Sequence, residues 1–178
     1  MNVLGDIFQT ERLRVRHITD EDAKHLYAVY GDAEAMRWVD DGEPIAWEDC
    51  GRWVDVTLRN YEMYGYGMSA VVLKSSDTVI GFCGIVHPGG QQEAEIKYAF
   101  LRAYWGQGFA TEVVRSMIAY GENHFALRRI IATIDPDNGG SRRVLIKSGM
   151  SYCDTQRHED GSYTEILDWC AIDPGITS

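Results

Sequence analysis

The chain predicts one mixed α/β domain of order β-α-α-β-β-β-α-β-α-β-β. Three observations carry that reading. Alternating apolar and polar runs interchange with stretches of helical period, the pattern of a sheet covered by helices. Ala110, Val113, Val114, Met117, Ile118, Gly121 and Phe125 recur at helical spacing directly after a glycine turn, Gly106-Gln107-Gly108. Asp160-Gly161 stands between two strand-like runs near the C-terminal end, a strong hairpin signal. A chain of 178 residues supports one domain with a sizeable core, taken as residues 1–178 with a loose tail over 173–178.

The elements follow in order. Arg12 to Ile18 alternates Leu13, Val15 and His17 against Arg12, Arg14 and Arg16, a strand. Thr19 and Asp22 form a capping box before a helix marked by Ala23, Leu26, Tyr27 and Tyr30. A short turn or helix runs through Met36 and Trp38, and 40–44 is a loop. Trp47, Cys50, Val54, Leu58 and Tyr61 mark a long helix that Gly65 stops. Three strands come next, Tyr66 to Leu73, Thr78 to His87 and Glu93 to Leu101, with turns at Ser75-Ser76-Asp77 and Pro88-Gly89-Gly90. The amphipathic helix after Gly108 leads to a strand from Arg129 to Asp135, a loop, and a helix ending about Ser148. Strands from Tyr152 to His158 and Tyr163 to Ala171 close the domain.

Composition narrows the function. Hydrophobic residues at 45% and charged residues at 25% are ordinary for a soluble globular chain. No apolar run nears the ~18 residues that span a bilayer, and no secretory pattern opens the chain. The expectation is a cytoplasmic protein with no membrane partner. A net charge of −10 makes nucleic acid a poor partner and steers cationic substrates inward. Cys50, Cys83, Cys153 and Cys170 show no C-x-x-C spacing, so neither a metal site nor a disulfide framework is expected. Cys83 and Cys170 read as small core residues. His87, His124 and His158 lack metal-ligand spacing and read as surface or strand-end residues.

The glycine turn is the most informative stretch. Tyr104-Trp105-Gly106-Gln107-Gly108-Phe109-Ala110-Thr111-Glu112 joins a strand end to a helix N-terminus, whose free amides and dipole suit a phosphate or pyrophosphate. A tight connection with no ligand is the other reading. The stretch is no P-loop, since no G-x-x-x-x-G-K-[ST] occurs, and Thr111 stands where a dinucleotide fingerprint needs its third glycine.

This order of elements resembles the GCN5-related N-acetyltransferase (GNAT) family, and within it the ribosomal-protein alanine acetyltransferase subgroup. The resemblance runs from Thr10-Glu11-Arg12-Leu13 to the last strand. It rests on Ala94-Glu95-Ile96-Lys97-Tyr98 leading into the glycine turn, on Asn138-Gly139-Gly140-Ser141 before Val144-Leu145-Ile146-Lys147-Ser148-Gly149, and on the terminal hairpin. It implies a mostly antiparallel, splayed sheet flanked by helices, with a wedge between the strand ending near Leu101 and the strand 129–135. It also implies acetyl-CoA as co-substrate and no metal. Pantetheine would bond to the backbone of Phe100 and Leu101. Trp105, Gly106, Gln107, Gly108, Phe109, Ala110 and Thr111 would hold the pyrophosphate, and Asn138 and Ser141 the pantetheine side.

Acetyl transfer to an amine needs a base for the ammonium, donors for the oxyanion and a proton for the leaving thiolate. The resemblance offers Glu95 as base; its other readings are a structural carboxylate pairing with a neighbouring strand or, since alternation sets it on the face opposite Tyr98, a solvated sheet residue if Tyr98 lines the site. Leu145 stands where many relatives carry a tyrosine acid, which leaves Ser141 as sulfur donor or merely as a helix cap. Trp105 stands where many relatives carry arginine or glutamine, and Met150 where many carry phenylalanine. Trp38, Tyr66 and Tyr98 are the expected acceptor-binding residues, within an aromatic set, Trp47, Trp53 and Tyr64 included, that otherwise reads as core. Trp38 with Asp40, Asp41 and Glu43 would form an aromatic and acidic wall for a cation. The expected activity is acetylation of a primary amine, foremost a protein N-terminal α-amine. A small amine (polyamine, amino acid or aminoglycoside) is the alternative acceptor, and a non-catalytic acyl-CoA sensor the alternative class. The resemblance also allows a homodimer.

Overall fold

The computed structural model describes residues 5–39 and 42–172. Asp40 and Asp41, half of the expected acidic wall, and the expected tail at 173–178 lie outside the described residues. Eight strands and five helices alternate in the order β1 (Asp6–Gln9), β2 (Leu13–His17), α1 (Ala23–Tyr30), α2 (Ala33–Met36), α3 (Trp47–Tyr64), β3 (Met68–Leu73), β4 (Thr78–Val86), β5 (Glu95–Phe100), α4 (Phe109–Phe125), β6 (Arg129–Ile134), α5 (Gly139–Lys147), β7 (Ser151–Arg157) and β8 (Tyr163–Cys170). The strands form a single sheet in the order β1-β2-β3-β4-β5-β6-β8-β7. Only β5 and β6 run parallel; every other pair is antiparallel. This matches the expected order with two additions: α2, where a short turn or helix is expected, and β1, a short edge strand whose four residues are too few to display alternation. Among the described residues no helix is long and apolar enough to cross a membrane.

The central strands β3 and β4 are buried on both faces and read as continuous apolar runs, whereas β7 at the far edge is exposed along its length. Along β3, Val71 joins Leu13, Ile80 and Ile130 beneath Val113, Val114 and Met117 of α4. Its neighbours Ala70 and Val72 turn the other way, to Leu26 and Val29 of α1 and Val54 of α3. The stripe expected on α4 is the stripe that packs. At Gly121 a Cβ would come within 2.7 Å of Ile85 Cδ1, so glycine lets this helix settle onto β4. Gly65 ends α3 with φ 82°, a left-handed cap.

Two expected core residues are elsewhere. Cys170, the last residue of β8, is exposed. Trp47 is 53% exposed at the start of α3, edge-on to Tyr27.

The functional feature of the sheet is its split. β4 and β5 stay in register from Val86↔Glu95 to Gly81↔Phe100. β5 and β6 meet at one pair, Glu95↔Ile131, with the Ile131 amide donating to the Ala94 carbonyl at 2.9 Å. Beyond it the two strands diverge, as the wedge requires.

Candidate active site

Backbone groups along the split are available for a ligand. The Leu101 amide donates to the Ile80 carbonyl at 2.9 Å. Antiparallel alternation then makes Ala99 and Lys97 exchange bonds with β4 and turns the N–H and C=O of Ile96, Tyr98 and Phe100 toward β6. The Phe100 carbonyl accepts the Trp105 indole N–H at 2.9 Å. Leu101 departs from expectation. Its amide is held by Ile80 and its carbonyl accepts the Tyr104 amide at 2.9 Å, so it has no free donor left for a ligand. Among the described residues the edge left open toward β6 includes the Ile96 carbonyl, Tyr98 and the amide of Phe100.

The glycine turn lies just beyond. Gly106 and Gly108 have φ 71° and 83°, a conformation that L side chains resist. No side chain caps α4. Among the described residues the amides of Gly106 through Thr111 find no acceptor, so they face outward at a helix N-terminus. Arg12 props the turn from behind. It donates to the Gln107 carbonyl at 2.9 Å and to Glu112 at 2.7 Å, and its guanidinium lies 4.2 Å from the centre of the Phe109 ring. Glu112 also accepts from the Thr10 hydroxyl at 2.6 Å and the Arg12 amide at 3.0 Å. Burial would raise the Glu112 pKa, but these hydrogen bonds outweigh it and hold the carboxyl below its ordinary value.

A cavity of about 900 Å³ continues the wedge. Tyr98, Asn138 and Ser141 line one part, and Trp38, Trp53 and Tyr64 another. Asn138, rather than Ser141, caps α5: its Oδ1 accepts the Ser141 amide at 3.0 Å. That corrects the expected capping role of Ser141, whose position in the first turn makes it the capped residue. Its hydroxyl has no hydrogen-bond partner among the described residues. Tyr98 lines the cavity with its hydroxyl 3.4 Å from the Ser141 carbonyl, and burial pushes the phenol well above its ordinary pKa. The tyrosine therefore stays a neutral donor.

Tyr66 does not line the cavity. It packs edge-on against Phe125 of α4, and its hydroxyl meets His87 Nε2 at 2.8 Å. His87 lines the cavity in its place. The Gln91 carbonyl, 3.1 Å from Nδ1, can only accept, so Nδ1 carries the proton. In the neutral ring Nε2 accepts the Tyr66 hydroxyl hydrogen bond, so both nitrogens are committed and no lone pair is left for a base.

Glu95 is 3% exposed and is not among the residues that border the cavity. It lies on the face opposite Tyr98, as strand alternation requires. Its Oε1 accepts from the Thr133 hydroxyl at 2.5 Å and sits 3.4 Å from Lys97 Nζ; its Oε2 accepts from Gln91 Nε2 at 3.2 Å. Lys97 and Thr133 do border the cavity. Neither was singled out in the sequence, because the pairing of β5 with β6, a tertiary fact, brings Thr133 to Glu95. Among the described residues no cluster of ligating side chains could hold a metal ion.

The arrangement combines outward amides for a diphosphate, an open strand edge for an extended amide chain, and a cavity behind both. Comparison with known proteins points the same way. Residues 12–151 match the family model "Acetyltransferase (GNAT) domain". The uncharacterized N-acetyltransferase YoaA of Bacillus subtilis is 31% identical over 80% of this chain and 81% of its own length. The uncharacterized N-acetyltransferase p20 of Bacillus licheniformis is 33% identical over 76% and 77%. A GNAT-family acetyltransferase from Bacillus anthracis superposes with a TM-score of 0.76 at 25% identity, covering 91% of this chain and 96% of that one. RimL, the ribosomal L7/L12 alpha-N-protein acetyltransferase in complex with coenzyme A, shares the fold at TM-score 0.79 and 15% identity, over 93% and 97%. The chain is an acyltransferase and belongs to the acetyltransferase (GNAT) domain family.

Proposed function

We propose that this acetyl-CoA-dependent N-acetyltransferase acts on the α-amino group of a protein N-terminus. The observation that carries this reading is the continuity of the cavity. It touches Asn138 and Ser141 at the wedge and extends to Trp38, Trp53 and Tyr64, which leaves room for a peptide end beside the thioester. The subgroup resemblance and the RimL-like fold support the same class of acceptor.

In this reading the amides of Gly106 to Thr111 hold the pyrophosphate, and the edge at Tyr98 and Phe100 holds the pantetheine amides as an added strand. Asn138 Nδ2, left over from capping, serves the same chain. Acetyl-CoA supplies an activated carbonyl. Glu95 takes the proton of the acceptor ammonium, and Lys97 balances the charge of the buried carboxylate before that transfer. The Ser141 hydroxyl donates toward the sulfur as it gains charge.

The test is thiol release from acetyl-CoA with peptides bearing a free N-terminal amine, beside polyamines, amino acids and aminoglycosides. Turnover confined to the peptides supports the proposal. Turnover confined to a small amine reassigns the acceptor. Binding of acetyl-CoA without turnover of any amine would favour the sensor.

A further inference from the structure

Glu95 presents a difficulty for any proton transfer, because it is buried and the cavity does not touch it. Three side chains cover its carboxylate: Gln91, Lys97 and Thr133. Their chemistry separates them. An amide neither gains nor loses a proton under these conditions. A lysine ammonium donates but has no lone pair to accept. A hydroxyl both donates and accepts, so it alone can pass a proton on while returning to its starting state.

Thr133 also has the required position. It is exposed at the cavity, and its hydroxyl donates to Glu95 Oε1 at 2.5 Å. The parallel pair Glu95↔Ile131 sets Ile131 on the Glu95 face of the sheet, and Thr133, two residues on, shares that face. A β-branched side chain on a strand has few rotamers, which keeps the hydroxyl aimed.

We infer that Thr133 is the relay through which the acceptor amine delivers its proton to Glu95; the inference rests on the proposed role of Glu95 as base. A lone pair of Thr133 Oγ1 takes the proton of the acceptor ammonium as its own proton passes to Oε1. The amine is left neutral with its lone pair free, the hydroxyl is restored, and the carboxylate becomes a carboxylic acid.

The experiment compares Thr133→Val, Thr133→Ser and Glu95→Gln by steady-state kinetics, with acetyl-CoA and whichever amine of the panel the wild type turns over. Direct titration with acetyl-CoA and thermal melting check binding and fold. Thr133→Val should lower kcat by about 100-fold, the lower end of general-base effects, with the KM for acetyl-CoA unchanged. Thr133→Ser should restore it to within a few-fold. Adding Thr133→Val to Glu95→Gln should cost nothing further, because both act on one transfer. A relay is overturned if Thr133→Val keeps wild-type kcat, if serine fails to rescue, or if the double variant loses a further factor. Wild-type activity in Glu95→Gln would instead remove the base reading, and the relay with it. Bound acetyl-CoA with no turnover of any amine by the wild type overturns both.

Discussion

Arg12 and Glu112, 100 residues apart in sequence, join the start of β2 to the first turn of α4 through an Nε to Oε2 bond of 2.7 Å. The pair sits behind the glycine turn, where an unbalanced carboxylate would repel a pyrophosphate. Arg12 cancels that charge and fixes the Gln107 carbonyl, so that the neighbouring amides point outward.

Arg12→Ala is therefore expected to weaken acetyl-CoA binding about tenfold, equivalent to roughly 1.4 kcal/mol, while kcat at saturation stays near wild type. Adding Glu112→Gln should recover part of the loss, since it removes the orphaned charge. Calorimetric titration of the two variants decides. Unchanged affinity in Arg12→Ala would mean that the turn keeps its shape unaided.

Asn138 has two duties that substitution separates. Asn138→Ala removes the cap of α5 and should cost about 1 kcal/mol of stability. Asn138→Asp keeps a capping oxygen but replaces the Nδ2 donor with negative charge. It should hold the stability of the wild type and lose acetyl-CoA affinity. Urea unfolding and ligand titration on both variants check this, and equal affinities for Asn138→Asp and wild type would exclude Asn138 from the ligand.

Asp22 makes stability depend on acid. It is buried, accepts two bonds of 2.8 Å from the Arg16 guanidinium, and takes the Thr19 amide at 2.8 Å. Burial would raise its pKa, yet the Arg16 and Thr19 bonds outweigh burial and lower it. A depressed folded value means that the stabilisation is complete above the ordinary carboxyl value of about 3.9 and fades as pH falls through the folded one. Asp22→Asn should cost about 3 kcal/mol at pH 7, and its deficit should shrink below about pH 4. Denaturant midpoints at pH 7 and pH 3 test the sign; a deficit that grows in acid would refute it.

Local patterns carried most of the fold. The α4 stripe, the strand alternation around Val71, and the turns at Gly65 and Asp160-Gly161 are written in neighbouring residues, and each formed where its pattern stands. The glycine turn was legible for the same reason, since φ above zero and a following helix are short-range properties. β1 was not, because an edge strand of four residues takes its structure from its partner. The pattern points to Trp38, Tyr66 and Tyr98 for the acceptor and to Trp53 and Tyr64 as core, yet packing sets Trp53 and Tyr64 at the cavity and turns Tyr66 away to Phe125.

Helix and strand periods, turn chemistry and the family signature belong to the sequence, because each depends on residues a few positions apart. The environment of Glu95 belongs to the tertiary structure. Alternation set its face, but only the meeting of β5 and β6 brought Thr133 to its carboxylate and closed it off from the cavity. The same holds for Leu101, whose amide is held by Ile80 and so is not open to a ligand. Which polar group faces a ligand and which is already paired is a matter of long-range contact, and no local pattern encodes it.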